Sequence, residues 1–459
     1  MKLYNTLTRK VEKLVPITDS QVKLYTCGPT VYSALQIGNW MAYIRWDVLV
    51  RTLKASGYDL NWVMNITDVG HLVSDADDGE DKMEKGAKAE GKTAWEVAQK
   101  YTDDFQAGMK VLNILQPTTL AKATDHIQEQ IDLIQKLEVK DYTYIIDDGV
   151  YFDTSKFPAY GALAQLKLDE LKEGARVEVN PQKHNPTDFA LWKFSPTDTK
   201  RDMEWDSPWG KGFPGWHIEC SAMAMKYLGD TLDIHTGGID HIPVHHTNEI
   251  AQSEAVTGKK FANIWVHSNF LTIGGAKLSK SAGNSYTLQD LQAKGYAPLD
   301  FRMFALQSHY RTEANFTWEA LDGAKSRLRR WRAIAVMQWQ ARPGTAEYTF
   351  EEALPHLQNN LDTPQALAAI ERTFDQFEDG IIESGLGDFT KYLSSIDDLL
   401  GLDLTKQSDI DDSQKDLLKQ RTAAREAKDW TKSDELRDQL KSQGIEVRDT
   451  SNGQLWSRL

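Results

Sequence analysis

Hydrophobic and polar positions change period along the chain, and the first change marks the stretch on which the rest is organised. Val22, Leu24 and Thr26 alternate with Lys23, Tyr25 and Cys27, the period of a short strand. Gly28-Pro29-Thr30 breaks that strand and a polar link through Tyr32-Ser33 follows. From Trp40 the pattern turns helical, with Ile44, Val48, Leu49 and Leu53 near one face and Gly57 as its stop. Leu60, Trp62, Met64 and Ile66 alternate again and end in Asn65-Ile66-Thr67-Asp68. Strand, helix and strand at this spacing predict a right-handed parallel unit. Its site lies at the carboxyl ends of the strands, where Cys27 and Thr67 fall. Helices are predicted over 93–115 and 125–137, then a hairpin over 142–152 and short strands to about Trp192. This β-rich piece interrupts an α/β pattern and is read as an insertion. The α/β pattern resumes with a helix from Trp216 to Leu228, then a strand through Leu232 and Ile234 ending at His235-Thr236-Gly237-Gly238-Ile239-Asp240. A helix through His245 to Val256 is stopped by Gly258. Helices follow from about Asp290, with bundle helices over 326–340 and 364–386, a polar linker over 405–413 and a small terminal domain.

The 459 residues suit about three domains, and 41% hydrophobic with 26% charged residues is ordinary for a globular chain. The start, Met1-Lys2-Leu3-Tyr4-Asn5, leads into no apolar run, and no stretch approaches the roughly 20 apolar residues of a membrane helix. No membrane partner is expected. With Cys27 and Cys220 the only cysteines, a cytoplasmic location is expected over a secreted disulfide scaffold. The net charge of −14 argues against indiscriminate nucleic-acid binding but leaves room for local basic surfaces. Lys325, Arg327, Arg329, Arg330 and Arg332 around Trp331, and the slightly basic stretch 414–459, are either such surfaces or solvated helix faces. The acidic run from Asp75 to Asp81 places Gly79 one residue too early for a calcium loop and reads as a solvated loop.

His245 and Glu249 are four apart on a predicted helix, so their side chains point the same way. With Cys27 and Cys220 they make a set of ligand types that zinc accepts. Taken singly, a surface His–Glu hydrogen bond and two buried thiols are the commoner reading. All four, however, fall at or beside strand ends or helices of one predicted domain. A helix start at Gln36-Ile37-Gly38-Asn39 offers unpaired N–H groups and partial positive charge to phosphate, and Gly38 lets a flat base lie close. Gly237 and Gly238 permit a close ligand in the same way. After Gly274-Gly275 comes Lys277-Leu278-Ser279-Lys280-Ser281, whose two lysines can neutralise charge passing to a leaving pyrophosphate. Read alone, it is a surface loop.

Gln36-Ile37-Gly38-Asn39 resembles the first signature of class I aminoacyl-tRNA synthetases, with Gln36 and Asn39 in place of its two histidines. An amide cannot be cationic near phosphate as a histidine can. The residues from Cys27 to Tyr32, from Trp216 to Met223 and from His245 to Ser253 resemble cysteinyl-tRNA synthetases in particular. Lys277 to Ser281 resembles the KMSKS loop, with Leu278 for methionine. The resemblance covers nearly the whole chain. It implies a Rossmann-like α/β catalytic domain in two halves, 1–115 and 201–273, divided by a connective insertion at 116–200. A loop region at 274–310, a helical bundle at 311–404 and an anticodon-binding domain at 405–459 would follow. The implied reaction joins L-cysteine to tRNA(Cys) through a cysteinyl-adenylate, with ATP as substrate and Mg2+ accompanying it. One Zn2+ would be held by Cys27, Cys220, His245 and Glu249, with His246 the competing assignment. That ion would select the substrate's thiol over a serine hydroxyl without an editing domain. Gln36, Asn39, Lys277 and Lys280 would be catalytic. Gln36, Gly38, Asn39, Gly237, Gly238 and Lys280 would meet ATP, and Gly28, Thr30, Thr67, Trp216 and Asp240 the amino acid. Arg425, Trp430, Asp434 and Asp449 would read the anticodon by hydrogen bonding and stacking. A monomer is expected. Two other readings stay open: a cysteine ligase acting on an amino sugar, and a non-catalytic tRNA-binding paralogue.

Overall fold

The computed structural model describes residues 1–70, 81–165, 180–196, 201–277, 285–340, 351–378, 386–450 and 453–459. The chain divides into two compact units, Met1–Lys294 with Tyr310–Asn315, and Gly295–His309 with Phe316–Leu459.

The first unit is built on a five-stranded parallel sheet. In chain order its strands are β1 (Gln21–Thr26), β2 (Asp59–Ile66), β3 (Thr119–Lys122), β4 (Leu232–Gly238) and β5 (Ala262–Ser268). Their spatial order is β5-β4-β1-β2-β3. The chain winds outward from β1 through β2 to β3, then returns to lay β4 on the other side of β1. The boundary between β1 and β4 is therefore the switch point, where the two connections diverge and leave a crevice at the strands' carboxyl ends. Thr119–Lys122 falls inside the stretch expected as insertion, yet it pairs with β2 from Val63↔Thr119 to Ile66↔Lys122. Four residues carry too short an alternation to read as a strand. β5 also went unread, although Trp265 and Val266 are buried in it.

The helix after β1, α1 (Ile37–Ala55), begins three residues before the periodic pattern and ends ahead of Gly57, whose φ is 86°. It is buried on nearly all sides, including Arg45, Asp47, Arg51 and Thr52. Each of these residues makes internal bonds, as burial requires. Arg51 pairs with Asp47 at 2.7 Å, and Asp47 also accepts from the Leu115 amide at 2.8 Å. Arg45 donates to Ser268 Oγ at 2.7 Å, tying α1 to the end of β5. The helices α2 (Trp216–Leu228) and α3 (His245–Thr257) pack on the sheet, and α3 ends at the left-handed Gly258, as expected. Between the halves lies a four-stranded antiparallel sheet of Thr143–Ile146, Gly149–Phe152, Phe189–Phe194 and Gly212–Pro214. Its first two strands are the predicted hairpin. Of the acidic run, Asp81 is described, and it caps the helix Lys82–Glu90 by accepting from the Met83 and Glu84 amides; residues 75–80 lie outside the described ones.

The second unit is mainly helical, with Trp318–Ala335, Thr363–Glu378 and Leu386–Leu400 among its longer helices. Two cations of the basic cluster, expected as either a nucleic-acid surface or a solvated helix face, are paired within this bundle. Arg327 pairs with Glu371 through two bonds at 2.8 and 2.9 Å, Arg330 pairs with Asp375, and Trp331 is buried. The chain ends with the helices Asp412–Glu426 and Trp430–Ser442 and a hairpin, Ile445–Thr450 with Gly453–Arg458. Val336, Ile410, Leu440, Ile445, Val447 and Trp456 form its small apolar core. Among the described residues no helix is long and apolar enough to cross a membrane.

Candidate active site and metal centre

A cavity of about 470 Å³ opens at the crevice between β1 and β4. One end is the start of α1, where Gln36, Gly38 and Asn39 line the wall. The Gln36 amide donates to Asn39 Oδ1 at 3.1 Å, so the asparagine fixes the turn into the helix. Gly28, Thr30, Thr67, Trp216, Gly237, Gly238 and Asp240 line the cavity. Gly237 and Gly238 are the last two residues of β4 rather than a loop after it. A Cβ on Gly237 would lie 2.5 Å from the His246 ring, so glycine is what lets the histidine pack there. Of the lysine loop, Lys280 lies outside the described residues. Lys277 ends the two-residue strand Ala276–Lys277, and its side chain lies outside them too.

The other end of the cavity is where the two thiols meet. Cys27 ends the chain's run out of β1, Cys220 sits in the second turn of α2, and His245 and Glu249 share a face of α3. Their donor atoms lie within 4.8 Å of one another. His245 Nε2 is 3.0 Å from Glu249 Oε1, yet that buried oxygen has no hydrogen bond among the described residues. Burial pushes the Cys27 thiol well up. Its hydrogen bond to Cys220 draws the second thiol down to about 7 against burial. Burial also opposes charge on Glu249, but His235 and His245 hold it down to about 2. Donor atoms are thus gathered at one buried spot, an orphaned carboxylate oxygen and two thiols among them. The donor types and the spacing fit a zinc ion.

Sequence reasoning missed His235 behind this set and held His246 only as the competing assignment. His235 Nε2 lies 2.8 Å from Glu249 Oε2, and His246 Nε2 lies 3.3 Å from Cys27 Sγ. Adjacent residues on a helix normally diverge, but here both His245 and His246 face Glu249, the second at 3.8 Å. Asn65 was also passed over. Its Oδ1 accepts from the Gly28 amide at 2.7 Å and its Nδ2 donates to Thr67 Oγ1 at 3.0 Å. Thr67 Oγ1 in turn donates to the buried Glu219 at 3.3 Å. A signal existed, since Asn65 and Thr67 are two apart at a strand end and so share a face.

In the terminal module Arg425 lies over the Trp430 ring, 5.6 Å from its centroid, and Trp430 is 56% exposed. Asp449 accepts from Arg421 at 2.8 and 2.9 Å and from Arg425 at 2.9 Å. Asp434 pairs with Arg437 at 3.1 Å.

Comparison with known proteins adds the family. Residues 13–326 match the family model described as tRNA synthetases class I (C) catalytic domain, and residues 407–456 match that of the cysteinyl-tRNA ligase anticodon binding domain. A cysteine–tRNA ligase of Burkholderia lata is 46% identical over 462 residues, covering 99% of this chain and 96% of the relative. That of Treponema denticola is 41% identical over 495 residues, covering 100% of both. Among solved structures, the methionyl-tRNA synthetase of Mycobacterium tuberculosis with methionyl-adenylate aligns at a TM-score of 0.61 and 15% identity. It covers 84% of this chain and 93% of its own, a likeness of fold. The chain belongs to the cysteinyl-tRNA ligase family of class I tRNA synthetases.

Proposed function

We propose that this chain ligates L-cysteine to tRNA(Cys) in two steps. The cysteine carboxylate attacks the α-phosphate of ATP and releases pyrophosphate, and the terminal ribose hydroxyl of the tRNA then takes the cysteinyl group. The carrying observation is one cavity with a helix start at one end and Cys27, Cys220, His245 and Glu249 meeting at the other. Its size suits an aminoacyl-adenylate. These four residues would hold a zinc ion, which when bound selects a thiol by lowering its pKa and leaves a serine hydroxyl uncompeting. Gly28, Thr30, Thr67 and Trp216 would border the amino acid, with Asp240 facing its ammonium. Gln36, Gly38 and Asn39 would meet the phosphates of ATP and its Mg2+, and Gly237 and Gly238 the ribose. Lys277 and Lys280 would stabilise the charge of the departing pyrophosphate. Catalysis of this kind is positioning and charge stabilisation, with no covalent work by side chains.

Arg425 and Trp430 support an acceptor that is tRNA rather than an amino sugar, since a cation over an exposed ring is a platform for an unpaired base. Asp449 would position Arg425 more than contact a base itself, and Asp434 completes the anticodon-facing set. The protein would act as a cytoplasmic monomer. The test is ATP–pyrophosphate exchange with cysteine and with serine, before and after chelation, followed by transfer to tRNA(Cys) or to an amino sugar. Cysteine-dependent exchange that falls on chelation, with transfer to tRNA alone, is the expected result. Exchange of equal rate with serine would overturn the account of selection, and transfer to the sugar that of the acceptor.

A further inference from the structure

The thiol end of the cavity carries two overlapping sets of four donors. The outer set is Cys27, Cys220, His245 and Glu249, and the inner set is Cys27, His235, His246 and Glu249. Both gather their donor atoms within 4.8 Å of one another. We infer that the inner set is a second resting position for the same ion, closed to the substrate, and that it retains the ion when an outer ligand is lost. This rests on the reading of the outer set as the zinc site.

Three observations carry the inference. First, Glu249 straddles the two sets. Its Oε1 is 3.0 Å from His245 Nε2 in the outer set, and its Oε2 is 2.8 Å from His235 Nε2 in the inner one. Cys27 straddles them too, with His246 Nε2 at 3.3 Å from its sulfur. A tetrahedral centre with arms of about 2.0–2.3 Å needs donors about 3.3–3.8 Å apart, so the inner donors need only small movements to close on an ion. Second, one of the two inner rings, that of His246, is held from behind. His246 Nδ1 is bonded to His267 Nε2 at 2.8 Å, and His267 Nδ1 to Thr6 Oγ1 at 2.8 Å, which aims His246 Nε2 at Cys27. Outer-shell bonds of this kind orient metal-binding imidazoles. Third, the two sets differ in access and charge. Cys27, Cys220 and His245 line the cavity, whereas of the inner set only Cys27 does. His235 and His246 are wholly buried. One thiolate and one carboxylate cancel a divalent charge, as a dry position demands, while two thiolates and a carboxylate leave a negative surplus that suits the open mouth.

The test uses the full chain with Cys220→Ala, His246→Gln and the double variant, checked for folding by circular dichroism and melting. Bound metal is measured after gel filtration, and cobalt-substituted samples are read by absorption. Cys220→Ala should keep about one ion per chain, with the thiolate-to-cobalt band near half that of the unmodified protein because one thiolate remains. His246→Gln should also keep about one ion, and the double variant less than about a tenth. His245→Asn, which removes the other ligand peculiar to the outer set, should behave as Cys220→Ala does. A folded Cys220→Ala or His245→Asn chain that holds no metal refutes the inner position. So does a double variant that binds as well as Cys220→Ala. An unmodified chain without metal would instead refute the zinc reading itself.

Discussion

Asn65 is the residue whose loss should separate positioning from mere stability. Its side chain joins two strands, accepting from the Gly28 amide at 2.7 Å and donating to Thr67 Oγ1 at 3.0 Å. Gly28 follows a proposed metal ligand and Thr67 borders the proposed amino-acid site, so one amide sets the distance between them. Asn65→Ala deletes both bonds. The orphaned Gly28 N–H costs about 1–3 kcal/mol and the Thr67 bond about 0.5–1.5, for a total of about 1.5–4.5 kcal/mol. Gly28 is only half-buried and faces the cavity, where water can replace part of the loss, which favours the lower end. If about 1.4–2 kcal/mol of this is lost orientation of cysteine, KM for cysteine rises about 10–30-fold. KM for ATP should stay within about twofold, since the ATP end of the cavity is untouched. The assay is ATP–pyrophosphate exchange at varied cysteine and varied ATP. Asn65→Asp is the control, because it keeps the acceptor for Gly28 and loses only the donor to Thr67. A folded Asn65→Ala chain with an unchanged KM for cysteine and only a lowered melting temperature would refute the positioning role.

Four further outcomes are expected. Gly28→Ala places a Cβ 1.6 Å from the Asn65 carbonyl oxygen, so β1 and β2 must separate at their ends; stability should fall by about 3 kcal/mol, and normal melting would contradict the close approach. Metal affinity should fall on acidification by about tenfold per pH unit for each thiol proton displaced. Because Cys220 sits at about 7, that slope should steepen by one proton as pH falls through 7; a flat profile would exclude thiolate ligation. The Asp449 carboxyl is held low by its bond to Arg421, so its stabilisation is present above the unfolded value of about 3.9 and lost as pH falls through the lower folded one; Asp449→Asn should therefore flatten the acid limb of the stability curve, and an unchanged limb would dismiss the pair. Gln36→His should be at least as fast in exchange, and a sharp fall would show that Gln36 does not face phosphate.

What the chain betrays as sequence is which residues end strands and which begin helices; what it hides is which strand lies beside which. β1, α1, β2, α2 and α3 were readable because each has several turns or pleats of pattern, and all but β2 have a glycine just after their end. β3 is too short for that. The cluster of four proposed ligands was readable because the chain has only two thiols, because His245 and Glu249 are one helical turn apart, and because the stretches around them resemble cysteinyl-tRNA synthetases. His235 was not, for a reason that lies in topology. Ile234↔Leu24 and Thr236↔Thr26 pair β4 with β1, and that register brings His235 level with Tyr25, two residues before Cys27. Had β4 added beyond β3 instead, the same local patterns would stand, and His235 would lie two strands farther from Cys27. The switch point is thus what brings four proposed ligands, scattered over more than two hundred residues, into one cluster. The rows that flank it, Asn65 from β2 and His235 from β4, become the groups that hold it in place.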